Sequence, residues 1–140
     1  MNEECLFCKI VRKEIPAGII FENDLIMVFL DIRPVNKGHC LVIPKIHVIE
    51  VDQIESPELL SEMILAGQRV HRLLKEKLSD VTGFNYLIAN GKDAGQEIFH
   101  VHLHIIPRKP DDGFGYKFGP NYGKLLTSDE IKETVSLLKS

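Results

Sequence analysis

The sequence predicts an α+β fold built on a five-stranded antiparallel sheet. Two observations carry this. Five short apolar runs occur at 19–22, 25–31, 39–44, 84–89 and 100–106, and the first three are joined by links too short for crossover helices. One long helical period, 57–79, separates the third run from the fourth. Strands, then a helix, then strands again suggest an antiparallel sheet with helices on one side. At 140 residues with 44% hydrophobic and 26% charged content, the chain reads as one domain, 1–140, with a real core.

The elements follow in order. Leu6, Phe7 and Ile10 recur at helical spacing, which predicts a short helix ending before Pro16. Glu22-Asn23-Asp24 has hairpin-turn chemistry between the first two strands. Residues 33–38 (RPVNKG) form a loop, and 39–44 (HCLVIP) is apolar on both faces, as a central strand is. Segment 47–54 has no clear period. Ser56 as N-cap, Pro57 at the first helical position and Glu58 in the first turn open the long helix. Its stripe is Leu59, Met63, Ala66, Val70, Leu74 and Leu78; Gly67 in the middle implies close approach of another backbone, such as a partner subunit's. His71 falls off the stripe and reads as a surface residue. Residues 90–95 form a Gly-rich loop, and Pro107 and Pro110 should stop the last strand. Residues 111–126 read as an irregular arm. Thr127 and Glu130 form a capping box for a final amphipathic helix with Ile131, Val135 and Leu138 on one face.

The densest chemistry is His100-Val101-His102-Leu103-His104. On a strand, alternate side chains share a face, so three imidazoles line one side and Val101, Leu103 and Ile105 the other. Imidazole is a nucleophile, a general acid or base, or a metal ligand near neutral pH. Gly91, Gly95 and Gln96 lie just ahead, in a turn whose N–H groups can cradle a phosphate. Cys5-x-x-Cys8 has the spacing of half a tetrahedral zinc site, or else places two small apolar residues on a short helix. Cys40 reads as core. His39 and His47 flank the third strand, and the residues alone leave each open between a structural and a functional role.

Other classes are disfavoured. A net charge of −3 argues against a broad nucleic-acid binder. No apolar run approaches the ~18 residues a membrane span needs. Met1-Asn2-Glu3-Glu4 has no signal-peptide character, and three cysteines fit a reducing compartment, so a cytoplasmic protein is expected.

The run HVHLHII (100–106) resembles the signature of the histidine-triad (HIT) family, Hint-like branch. So do FCKIVRKEIPAGIIFEND (7–24), FLDI (29–32), GHCLVIPKIH (38–47) and GQEIFHVHLHIIPR (95–108). The resemblance implies a five-stranded antiparallel sheet with two main helices, and a homodimer whose sheets join into ten strands. It implies a hydrolase that cleaves at the α-phosphate of purine nucleoside phosphoramidates or dinucleoside polyphosphates. His102 would be the nucleophile that forms a nucleotidyl-histidine intermediate. His104 would contact the α-phosphate, and His39 would join the site. Asp31 would hold the ribose hydroxyls, and Leu6, Phe7, Ile10, Phe29 and Ile32 the purine. Gly95, Gln96 and Glu97 would form the phosphate loop. Cys5, Cys8, His47 and His100 would bind one structural Zn2+. The chain departs from the family pattern in two places: Ala89 stands where Asn is common, with Asn90 adjacent, and Glu97 where Ser or Thr is. Glu97 should therefore face outward and leave phosphate contact to its N–H. A nucleotide-binding protein with little turnover, and a metallohydrolase whose histidine row holds the metal, are the rival readings.

Overall fold

The computed structural model describes residues 2–140. Five antiparallel strands form one sheet in the order β1-β2-β3-β5-β4. They are β1 (Ile19–Glu22), β2 (Ile26–Leu30), β3 (Cys40–Pro44), β4 (Gly83–Leu87) and β5 (Leu103–Arg108). Three helices accompany them: α1 (Leu6–Val11), α2 (Pro57–Lys77) and α3 (Ser128–Lys139). The β1–β2 turn is tied by Asn23, whose Oδ1 accepts from the N–H groups of Leu25 and Ile26. As its apolar composition requires, β3 is the central strand and is buried throughout.

The alternation of side chains splits the core in two. On one face Ile26, Val28, Cys40, Val42, Leu103 and Ile105 meet Leu59, Met63, Ala66 and Val70 of α2. On the other, Met27, Phe29, Leu41 and Ile43 meet Phe7 and Ile10 of α1. The helices therefore do not lie on one side, as the element order suggested. Leu6, Phe7 and Ile10 of α1 supply too short a stripe to announce the face it covers; only its partners on the sheet decide that. Ser56 caps α2 by accepting from the Leu59 N–H at 3.2 Å.

Several expectations change in detail. Regular pairing in β5 begins at Leu103, so His100 and His102 precede the strand, although the alternation of faces already holds: Val101 packs with Leu103 and Ile105. Pro107 does not stop β5. It pairs with Phe84 of β4, while the β3 ladder has ended at Ile105, so its missing N–H leaves no β3 partner unpaired. Gly67 makes close approach not to another backbone but to its own sheet: a Cβ there would lie 2.9 Å from Ile105 Cδ1 and 3.2 Å from Leu103 Cδ2. His71 is half-buried rather than free on the surface. Its ring lies 3.8 Å from that of Phe84, and its Nδ1 is 2.8 Å from the Tyr86 hydroxyl. Segment 47–54 contains a single 3-10 turn, Val51–Gln53.

Arg108 anchors the start of the arm. Its guanidinium donates to both carboxylate oxygens of Asp112 at 2.7 Å and packs over the Phe114 ring. The capping box at Thr127 and Glu130 opens α3. Ile131, Val135 and Leu138 share a face of α3, and all three are exposed.

Candidate active site and metal cluster

The strand order sets the site. His104 on β5 pairs with Leu41 of the central strand β3 on one side and Leu87 of the edge strand β4 on the other. His102 sits two residues earlier on the same face. Opposite them α1 brings Leu6, Phe7 and Ile10, and the end of β2 brings Phe29, Asp31 and Ile32. Together they enclose a cleft of about 540 Å³, the size of small-molecule sites.

Each imidazole has a neighbour that fixes its tautomer. His102 Nδ1 lies 2.7 Å from the carbonyl oxygen of His100. A carbonyl only accepts, so Nδ1 carries the proton and Nε2 keeps its lone pair. Burial pushes the His102 pKa down, against the raising effect of that carbonyl and of Asp31. Neutral His102 thus presents an Nε2 lone pair, with the chemistry open to a nucleophile or base, in the cleft that it lines. His39 is set from the other end: the backbone N–H of Val35 donates to its Nδ1 at 3.0 Å. Its proton is therefore on Nε2, which lies 2.9 Å from His104 Nδ1. His104 must accept there, so its own proton is on Nε2. Burial lowers the His39 pKa, with Asp31 opposing. Burial, helped by His102 and His39, pushes that of His104 down to about 4. A fixed N–H donor and a fixed lone pair thus stand side by side, with ring centroids 4.9 Å apart.

His100 engages different partners from this pair. It is fully buried, and its Nε2 lies 2.8 Å from the carbonyl of Pro44, so Nδ1 presents a lone pair. Burial pushes its pKa down to about 4, which keeps it in the neutral, ligating form. That Nδ1 is 3.4 Å from Cys5 Sγ, 3.6 Å from Cys8 Sγ and 3.3 Å from His47 Nδ1; Cys8 Sγ is 3.4 Å from His47 Nδ1. Zinc with Zn–S of about 2.3 Å and Zn–N of about 2.0–2.1 Å has tetrahedral edges of about 3.3–3.8 Å. These four distances fit those edges, all four ligand atoms lie within 4.8 Å of one another, and the Pro44 carbonyl offers the outer hydrogen bond that orients a ligating histidine. Cys40 stands apart in the core, its thiol pushed up to about 11 by burial.

The three imidazoles of the 100–104 run therefore do not converge on one ion, which removes the geometry the metallohydrolase reading needs. Asp31, His39 and His104 form a second cluster. There the facing nitrogens of His39 and His104 form a hydrogen-bonded pair at 2.9 Å.

The remaining residues divide. Asp31 lies on the rim; its Oδ1 accepts from the Arg33 N–H at 2.8 Å, and its Oδ2 is 3.6 Å from His39 Nε2. Gly95 adopts φ +91°, a left-handed turn that suits glycine, beside the cleft. Glu97 also lines the cleft, and its side chain is exposed, as expected. Gln96 is different. It is buried as a brace: its Oε1 accepts from the Gly91 N–H, its Nε2 donates to the Ile49 carbonyl, and its own N–H donates to the Gly91 carbonyl. It shapes the loop and does not line the cleft. Asn90 likewise turns away to accept from the Val51 N–H, and Ala89 is buried.

Sequence reasoning missed Arg33, Leu87, Ile98 and Phe114, which line the cleft. It also missed the Val35 N–H and Pro44 carbonyl, which set tautomers. Backbone groups carry no side-chain signal; Arg33, adjacent to the FLDI stretch, and Ile98, within the 95–108 stretch, were open to suspicion.

The fold and site define a small α+β protein with a paired-imidazole cleft and a separate Cys/His cluster whose geometry is compatible with zinc. The chain belongs to the HIT family: the HIT domain model matches residues 12–111. It is 45% identical over 115 residues to an uncharacterised HIT-like protein of Methanocaldococcus jannaschii, covering 82% of this chain and 87% of that one. It is 39% identical over 113 residues to an adenylylsulfatase of Arabidopsis thaliana, covering 80% and 56%. Among solved structures, a HIT family member from Bacillus subtilis superposes with a TM-score of 0.87 at 36% identity, covering 98% and 96%. A Zn-bound histidine triad family protein from Mycobacterium smegmatis does so with 0.74 at 34%, covering 97% and 96%.

Proposed function

We propose that this chain is a nucleotidyl hydrolase. It cleaves at the α-phosphate of purine nucleoside phosphoramidates or dinucleoside polyphosphates, through a covalent intermediate on His102. One observation carries the reading: the His100 carbonyl holds the proton on His102 Nδ1 and leaves the Nε2 lone pair in the cleft. Nε2 attacks the α-phosphorus, forming a P–N bond as the bond to the leaving group breaks. Water then displaces the imidazole, releasing the nucleoside monophosphate and restoring Nε2. The Nε2–H of His104, fixed through His39, donates to a phosphate oxygen and stabilises its growing charge. The Gly95 turn and the Glu97 N–H flank the phosphate. Asp31 accepts from the ribose hydroxyls, and Leu6, Phe7, Ile10, Phe29 and Ile32 enclose the purine.

One structural Zn2+ on Cys5, Cys8, His47 and His100 ties α1, and with it the purine wall, to the segment bearing the nucleophile. Residues 1–140 act as one domain, with 111–140 as arm and final helix. β4 is an edge strand carrying the exposed Tyr86 and Leu87, which supports a homodimer with a joined ten-stranded sheet. No helix among the described residues is long and apolar enough to cross a membrane. Three cysteines with no disulfide between them suit the reducing cytoplasm.

The test is chemical. With substrate labelled at the α-phosphate, the wild type should trap acid-labile label on protein and the His102→Ala variant none. That variant should lose turnover by several orders of magnitude. Near-normal turnover by His102→Ala would refute the reading, and unimpaired nucleotide binding with no turnover by the wild type would favour a binding protein.

A further inference from the structure

Arg33 is the one cation among the described residues that line the cleft, which also carries the carboxylates of Asp31 and Glu97. Its position is set locally. The Asp31 carboxylate accepts from its N–H, and Pro34 follows with its restricted backbone, so the backbone of Arg33 is held at the rim. The side chain crosses toward the loop that precedes the histidine run, where NH2 comes within 3.9 Å of Glu97 Oε2. That is too long for a hydrogen bond, and both side chains are more than three-quarters exposed, at 84% and 80%. Such a pair is weak and exchanges readily. No guanidinium N–H of Arg33 has an acceptor among the described residues, so its donors are available to a ligand.

The donors deeper in the cleft are neutral: an imidazole N–H and backbone amides. They suit the single charge of an α-phosphate and supply nothing for charge beyond it. A leaving group with further negative charge would meet Glu97 at the mouth and be repelled, unless Arg33 turned from Glu97 to it. An amine leaving group gains nothing from Arg33.

We propose that Arg33 is a specificity-determining residue that selects substrates with an anionic leaving group, a phosphate or polyphosphate chain or a comparable oxyanion, with Glu97 as the internal competitor for its guanidinium. This rests on the nucleotide reading above and narrows its substrate class. The planar fork matches phosphate oxygens in pairs, which a lysine does less well.

The test is a ratio of affinities. Binding of ADP and of AMP is measured by titration calorimetry on zinc-loaded wild type, Arg33→Ala, Arg33→Lys and Glu97→Gln, at low and high salt. ADP is the simplest probe with charge beyond the α-phosphate. The wild type should favour ADP. Arg33→Ala should lower the ADP:AMP ratio about five- to tenfold, and Arg33→Lys should retain part of it. Glu97→Gln should raise it about two- to threefold by removing the competitor. High salt should pull the wild-type ratio toward that of Arg33→Ala. A ratio unmoved in Arg33→Ala, or lowered in Glu97→Gln, overturns the proposal. If neither nucleotide binds the wild type, this proposal and the nucleotide reading fall together. If both bind and label is trapped on His102 while the ratio ignores Arg33, this proposal alone falls.

Discussion

Replacing His39 by leucine should release His104 without touching it. In the folded protein the Val35 N–H donates to His39 Nδ1, and His39 Nε2–H donates to His104 Nδ1, which leaves the His104 proton on Nε2. Leucine removes both bonds. The partly buried Val35 N–H loses its acceptor, a cost of roughly 1–3 kcal/mol. Position 39 is only 3% exposed, so the added apolar burial offsets about 1 kcal/mol. The net loss of stability should be about 1–2 kcal/mol, well short of unfolding a domain of this size. The effect on the site should be larger. With Nδ1 unpaired, the His104 proton distributes between its two nitrogens and the ring loses its anchor. Removal of an aligned donor to a developing oxyanion typically costs ~100- to 1,000-fold, so partial misalignment should cost about 10- to 100-fold in kcat. Glutamine is the control. Its amide can accept from Val35 through oxygen and donate to His104 through nitrogen, and should restore much of the rate. The assays are turnover and nitrogen-15 NMR of the His104 tautomer. A leucine variant with the wild-type rate and a single Nε2–H tautomer would refute the relay.

The remaining predictions are these. Purified protein should carry about one zinc per chain, and Cys8→Ser should lose both the metal and several degrees of melting temperature; an unaltered metal content in that variant would remove Cys8 from the cluster. Gly67→Ala should gain up to ~1 kcal/mol of helix propensity, yet lose about 1–3 by pressing on the fully buried Ile105, for a net fall of a few degrees; a rise in melting temperature would show that the α2–sheet gap is looser than 2.9 Å. His104, with its pKa depressed from 6.5 to about 4, should remain mainly neutral by NMR through pH 6.5 and reach half-protonation only at about pH 4. An unfolded chain binds that proton first, so the group's contribution to stability should be whole above pH 6.5 and lost as the pH falls from there toward 4. Titration of His104 near pH 6.5 would contradict its burial.

Much of the fold was legible because its signals are local. Strand runs, the Ser56-Pro57 helix start and the Thr127 capping box each depend on a few adjacent residues; the helix start and the capping box are where the sequence puts them, and the five strands lie within a few residues of their predicted runs. The metal set and the cleft residues came instead from the family resemblance, and the structure brings Cys5, Cys8, His47 and His100 together. Gln96 shows the limit of that route, since its loop matches the family pattern while its side chain braces the backbone.

The sequence by itself determined which residues carry chemistry: three alternating histidines, a cysteine pair at zinc spacing, and an apolar strand flanked by two more histidines. Tertiary structure decided how they are used. His100 and His102 differ by two positions and share a residue type. One turns its Nδ1 to two thiols because its Nε2–H donates to the Pro44 carbonyl; the other turns its Nε2 to the cleft because its Nδ1–H donates to the His100 carbonyl. The placement of α1 opposite α2, the approach of Gly67 to Ile105 and the reach of Arg33 toward Glu97 are likewise contacts between segments distant in the chain. A tautomer depends on the carbonyl that folding brings within hydrogen-bond distance. The identity of a histidine does not specify it.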